Sequence, residues 1–147
     1  MSLPARCIGE YAQVVGFGLH DSRLLGLVYE GEAGRLVVRL RREDGRGAIV
    51  SRQGVGAQGL VGFRNGAIVS DLLVWDVADA RLDLALPRMA WRVVFGNDIP
   101  VEDLPKAVGS IVKERELRHL VLLDCSYGGS LAALCRDIDI ELGLEAR

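Results

Sequence analysis

Arg23-Leu24-Leu25-Gly26-Leu27-Val28-Tyr29-Glu30, Gly31-Glu32-Ala33-Gly34 and Arg35-Leu36-Val37-Val38-Arg39-Leu40-Arg41 follow one another without a break, and their pattern decides the fold. In the last of the three, Leu36, Val38 and Leu40 alternate with Arg35, Arg39 and Arg41, the period of a strand with one buried face. In the first, both alternating sets are apolar: Leu25, Leu27 and Tyr29 against Leu24 and Val28. That predicts a strand covered on both sides. The glycine-bounded stretch between them is a turn, so the two strands form an antiparallel hairpin.

The same reading extends outward. Ala48 to Arg52 reads as a third strand. Leu60 to Phe63 and Ala67 to Asp76 flank Arg64-Asn65-Gly66, and Asn-Gly tolerates positive φ, so a second hairpin is expected there. Leu82, Leu84 and Leu86 alternate and predict a short strand ending at Pro87. Helix signals follow. Pro87 suits a first helical turn and Gly96-Asn97 a helix end, which gives a short helix through Trp91 and Phe95. Asp103 caps a second helix, Leu104 to Glu116, whose Leu104, Ala107, Val108, Ile111 and Val112 keep the 3.6-residue period. Arg118 to Ser126, the turn Tyr127-Gly128-Gly129-Ser130 and Leu131 to Leu142 make a last hairpin. A helix over Ser130 to Arg136 is the alternative there. The expected fold class is α+β: a predominantly antiparallel β-sheet of hairpins with one or two helices in the second half, in a single domain over residues 1–147.

Composition narrows the function. Half of the 147 residues are hydrophobic and 26% are charged, the mix of an ordinary globular chain. A net charge of −2 provides no global field for nucleic acid or an acidic membrane. No apolar run approaches the ~20 residues of a spanning helix, and the N-terminus lacks the pattern of a signal peptide, so the expected address is cytoplasmic. Cys7, Cys125 and Cys135 lack the close spacing of a zinc site and read as reduced, buried thiols. With Gly128-Gly129 at the centre of the last turn, Cys125 falls opposite Ala132 and Cys135 opposite Leu122, too far apart for a disulfide.

Several stretches carry candidate chemistry. Gly54-Val55-Gly56-Ala57-Gln58-Gly59 spells the GxGxxG of a dinucleotide-binding turn. Its chemistry needs a helix directly after Gly59, and the Asn65-Gly66 turn leaves no room for one, so no cofactor is expected. His20-Asp21-Ser22 holds the residue types of a hydrolase triad, but neighbours on an extended chain point in opposite directions. Asp71 and Asp124 each sit among residues apolar on both sides; two buried carboxylates sharing a site could do acid–base work. His20 and His119 are too few and too far apart for a histidine metal centre. Arg35, Arg39, Arg41, Arg42, Arg46 and Arg52 form a basic cluster without interleaved aromatics. Asp137, Asp139 and Glu141 could pair with it across adjacent strands, giving a solvated, neutralised face.

Leu19-His20-Asp21-Ser22 leading into a strand, the run Gly66-Ala67-Ile68-Val69-Ser70-Asp71-Leu72-Leu73-Val74-Trp75, and Cys125-Ser126-Tyr127-Gly128-Gly129 followed by Cys135 together resemble small bacterial proteins grouped with the immunity proteins of polymorphic toxin systems. The resemblance covers most of the chain and departs from the pattern at Gly54 to Gly59. It implies a non-enzymatic protein that binds and blocks a toxin-like partner, without a cofactor.

The reading is therefore a binding protein acting by surface complementarity, with His20, Asp21, Ser22, Trp75, Asp76 and Tyr127 as candidate partner-binding residues, aromatics being weighted because they dominate interfaces. The alternatives are a small enzyme using Asp71, Asp124 and His20 in a pocket, and a homo-oligomer whose exposed strand edges pair across a two-fold axis.

Overall fold

The computed structural model describes residues 8–9, 12–62, 66–77, 85–96, 109, 113, 116–127 and 129–145. In chain order they form β1 (Arg23–Glu30), β2 (Arg35–Arg41), β3 (Arg46–Gln53), β4 (Ala57–Val61), β5 (Ile68–Asp76), helix α1 (Ala85–Phe95), β6 (His119–Tyr127), β7 (Ser130–Cys135) and β8 (Asp137–Glu145). The strands join one sheet in the order β4-β7-β6-β5-β1-β2-β3-β8, and their pairings are antiparallel. The fold is α+β and mainly antiparallel, as the alternation predicts.

The two ends of that order are halves of one seam. β4 continues β3 after a bend at Gly54-Val55-Gly56, and β8 continues β7 after Arg136. β3 pairs with β8 from Arg46↔Glu145 to Gln53↔Asp137, and β4 pairs with β7 from Ala57↔Leu134 to Val61↔Ser130. Two hydrogen bonds carry the ladder through the bend: Arg136 N–H donates to the Gln53 carbonyl at 3.0 Å, and Gly56 N–H to the Leu134 carbonyl at 2.9 Å. The sheet is thus rolled closed, with an inside and an outside.

The inside is apolar. Leu36, Val38 and Leu40 of β2, Ala48 and Val50 of β3, Leu72 and Val74 of β5, Val121 and Leu123 of β6, and Leu131, Ala133 and Cys135 of β7 are buried together. The outer face of β5, β6 and β7 carries a second core, in which Leu73, Trp75, Leu120, Leu122, Ala132 and Leu134 lie with Ala90 and Trp91 of α1. This second layer is why β5 and β6 are apolar on both faces. The helix comes so close to β4 that a Cβ on Gly59 would overlap the backbone carbonyl of Val93. Gly96 closes the helix with φ 78° and donates its N–H to the Arg92 carbonyl at 2.7 Å. Among the described residues no helix is long and apolar enough to cross a membrane.

Several expectations need correction. The hairpin over Asn65-Gly66 does not form: β4 pairs with β7, and β5 with β6, so β4 and β5 are not neighbours. β4 runs on from β3, whose pairing with β8 already sets it beside β7, and that continuity overrides one local turn signal. Leu86 belongs to α1, not to a strand, and Pro87 lies in that helix as expected; Leu82 and Leu84 lie outside the described residues. Of the second helix expected, Leu104 to Glu116, most lies outside them too. Ser130 to Cys135 is strand, as the hairpin reading expects, and the helical alternative falls. The β6–β7 register also differs from expectation: Ala132 faces Leu122, and Cys135 faces His119. Cys125 and Cys135 are free thiols; Cys7 lies outside the described residues.

Candidate binding site

His20-Asp21-Ser22 turns the chain from the β5 edge into β1. Asp21 N–H donates to the Val69 carbonyl at 2.8 Å, and Val69 N–H returns a bond to the Ser22 carbonyl at 2.8 Å. Asp21 makes the turn in the left-handed region, with φ 62°, which aspartate tolerates better than most residues. The consequence for the three side chains is divergence. His20 and Asp21 are exposed, whereas Ser22 is fully buried, with no partner for its Oγ. His20 Nδ1 donates to the Ser70 carbonyl at 2.6 Å, and Nε2 lies 3.5 Å from Asp21 Oδ1. The Ser70 bond first, then the charge of Asp21, raises the imidazole pKa above its ordinary value. No triad is assembled.

Beside this turn the closed sheet has an open charged end. Asp21, Arg23, Arg41, Arg42, Glu43, Gly45 and Ile68 line a depression of about 480 Å³. The hairpin register brings Arg23 opposite Arg41, and Arg23 also meets Ile68 of β5. Arg42 is fixed: it donates from Nη1 to the Phe17 carbonyl at 3.3 Å and lies 3.4 Å from Asp44, while its buried Nε has no partner. Asp44 in turn accepts the Arg46 N–H at 2.9 Å, which closes the β2–β3 turn. Arg23, Arg41 and Arg42 stand with Asp21 and Glu43, and Asp44 lies on Arg42, so the rim carries fixed charges of both signs on rigid strand ends.

The carboxylates of the enzymatic alternative lie elsewhere. Asp71 and Asp124 are direct partners across β5 and β6, a meeting the sequence does not reveal. They are not a buried pair: Asp71 is exposed and Asp124 half-buried. They continue the outer rows that begin with Trp75 and Leu73 and with Leu120 and Leu122, and at their positions solvent replaces the apolar layer. Ser130 donates its Oγ to Asp124 Oδ1 at 3.1 Å, and Ser70 donates its Oγ to the Asp124 carbonyl at 3.0 Å. Asp71 also adds to the field at His20, yet His20 keeps Nδ1 on Ser70, and neither described depression is lined by any of the three.

Of the remaining candidates, Trp75 is buried in the outer core and offers no surface. Asp76 is exposed at the end of β5, opposite His119. His119 is half-buried at the start of β6, and burial lowers its pKa. Tyr127 is described in its backbone, which faces Ile68. The basic cluster divides: Arg39 and Arg41 face outward, whereas Arg52 faces inward and is fully buried, so it is no part of a solvated face. The expected acidic ladder does border β3, with Asp139 opposite Ser51 and Glu141 opposite Ile49. Sequence reading missed that Asp21 and the Arg41-Arg42-Glu43 stretch converge: the plain hairpin register carries Arg23 to Arg42, and a bulge at Leu25 moves it to Arg41.

Among the described residues no group of three or more His, Cys, Asp or Glu side chains is arranged to hold a metal ion. Comparison with protein-family models, curated proteins and solved structures found no match to this chain.

Proposed function

We propose that the chain is a binding module that recognises a protein partner through the charged depression at the β1–β2 end, in the manner of an immunity protein. The observation that carries this reading is the arginine-bearing rim: Arg23 and Arg41 are exposed beside an Arg42 immobilised by Phe17 and Asp44. Fixed charges of both signs on strand ends favour a partner with the complementary pattern, acidic side chains against Arg23 and Arg41, because complementary charge speeds association and sets the docking register. His20 and Asp21, at the margin, would lie within the same footprint. The resemblance to immunity proteins points the same way.

Capture from native lysate tests the reading. The wild-type chain retains a specific partner, and the double variant Arg23→Glu, Arg41→Glu, folded to the same melting temperature, loses it. A well-folded wild type that retains nothing but chaperones counts against the proposal.

One observation favours a homo-oligomer as a second reading. On its β5 side β1 pairs in the ladder only at Arg23, and Leu25, Val28 and Tyr29 are exposed apolar residues along the rest of the strand. Such an edge is able to pair with its counterpart in a second copy. Light scattering at the monomer mass would remove this reading and leave the first untouched.

A further inference from the structure

Arg52 stands in the inward row of β3 with Ala48 and Val50, and its relative exposure is 0%. Its cross-strand partners are Leu36 on β2 and Ile138 on β8, both buried and apolar. Among the described residues none of Nε, Nη1 and Nη2 has a hydrogen-bond partner. A guanidinium presents five N–H donors in a rigid fork and does not give up its proton in a protein. Burial lowers its pKa to about 10, still far above neutrality, so the group is a cation inside an apolar shell. The thiol of Cys135 acts on its charge, but burial pushes that thiol up to about 12, so it supplies no counter-charge. Buried charges in stable folds are paired. This one is not.

One depression lies along the same three strands. On all three adjacent strands the chain two positions beyond the Arg52 row reaches one depression: Gly34 beyond Leu36, Gly54 beyond Arg52, and Arg136 beyond Ile138. The depression holds about 390 Å³. Two residues of strand span roughly 7 Å, comparable with the length of an arginine side chain. Val55 lines this depression, buried and held by its N–H on the Gly34 carbonyl at 2.8 Å. Glu32, Glu116 and Arg136 at the mouth leave one excess negative charge, so retention of an anion falls to Arg52 rather than to the entrance.

We propose that Arg52 is the receptor for a small oxyanion, a carboxylate or phosphate group, that passes Val55 from the Gly34–Gly54–Arg136 depression and accepts the guanidinium's hydrogen bonds inside the closed sheet. The planar fork matches two oxygens of either group. This site lies apart from the charged rim at Arg23 and Arg41 and stands whether or not that rim binds a protein.

The test is thermal unfolding of the full chain in sodium acetate, sodium phosphate and sodium chloride at equal ionic strength. The wild type is expected to gain several degrees, saturably, in acetate or phosphate over chloride, and the salt that acts separates carboxylate from phosphate. Arg52→Met, which removes the lone charge, is expected to melt at or above the wild type in chloride and to show no gain in either oxyanion. If Arg52→Met does not fold, Arg52→Lys, a point charge without the fork, serves in its place and loses at least tenfold in apparent affinity. A wild type that responds to neither oxyanion, or a variant that responds as the wild type does, overturns the proposal.

Discussion

Asp71 and Asp124 face each other across β5 and β6, two carboxylates in direct register on one face of the sheet. Ser130 satisfies one oxygen of Asp124, but like charges directly opposite one another destabilise a strand pair. Asp71→Asn is therefore expected to stabilise the fold by about 0.2–1 kcal/mol in urea unfolding. Added salt should raise wild-type stability more than that of the variant, since it screens a repulsion the variant lacks. A less stable Asp71→Asn would mean that the pair is held by a bond to Asp71 worth more than the repulsion.

The two described histidines titrate with opposite sign. His20 has a raised folded pKa, from its bond to Ser70 and then from Asp21. Its contribution to stability is complete below the unfolded value near 6.5 and is lost as pH rises through the folded value. His119 has a lowered folded pKa because of burial. The unfolded chain takes up its proton first, so stability is lost as pH falls from about 6.5 towards the folded value. Imidazole titration by NMR checks both directions. Asp21→Asn should lower the His20 midpoint and leave that of His119 in place.

Gly59 and Gly26 give a contrast in glycine replacement. A Cβ at Gly59 would meet the backbone of Val93 in α1, whereas nothing lies within 4 Å of one at Gly26. Gly59→Ala is expected to cost about 1–3 kcal/mol by forcing the helix off the sheet. Gly26→Ala is expected to gain about 0.5 kcal/mol by restricting the unfolded chain. Parallel denaturant titrations decide the matter, and equal effects at the two sites would contradict the close packing of α1 on β4.

Both described thiols resist ionisation. Burial pushes Cys125 up to about 11, helped by Asp124, and Cys135 up to about 12. In a Cys7→Ser background, neutral-pH labelling by a disulfide reagent should be slow at Cys125 and occur at Cys135 only on unfolding. Labelling of Cys135 in the native protein at the rate of a free thiol would show that the interior opens.

The parts of this fold legible in sequence are those set by local alternation. The β1–β2 hairpin follows from Leu36, Val38 and Leu40 and from the turn at Gly31 to Gly34, but the two-sided cover expected of β1 is absent, since Leu25, Val28 and Tyr29 are exposed. What alternation does not specify is which strands meet. Asn65-Gly66 is a strong local signal, yet β4 finds β7, because it runs on from β3, whose pairing with β8 sets it there. The same gap concealed the Asp71–Asp124 contact and the three-residue difference in the β6–β7 register. Arg52 was misplaced for another reason: in a run of surface arginines the residue type suggests the exposed side, while the period, counted from Ala48 and Val50, sends it inward. There the period was the better guide.

The seam that closes the sheet joins Arg46 to Glu145 and Val61 to Ser130, partners separated by much of the chain. On the ribosome, β3 and β4 emerge long before β7 and β8 exist to receive them. Contacts of such sequence separation form late and slowly, because the intervening loop must be ordered before any reward is gained. Until then one flank of β3 and the whole of β4 are bare template for other chains. Yield during synthesis should accordingly be limited by how quickly the last two strands arrive, and it should improve at low temperature or with added holdase chaperone, even though the finished protein needs neither.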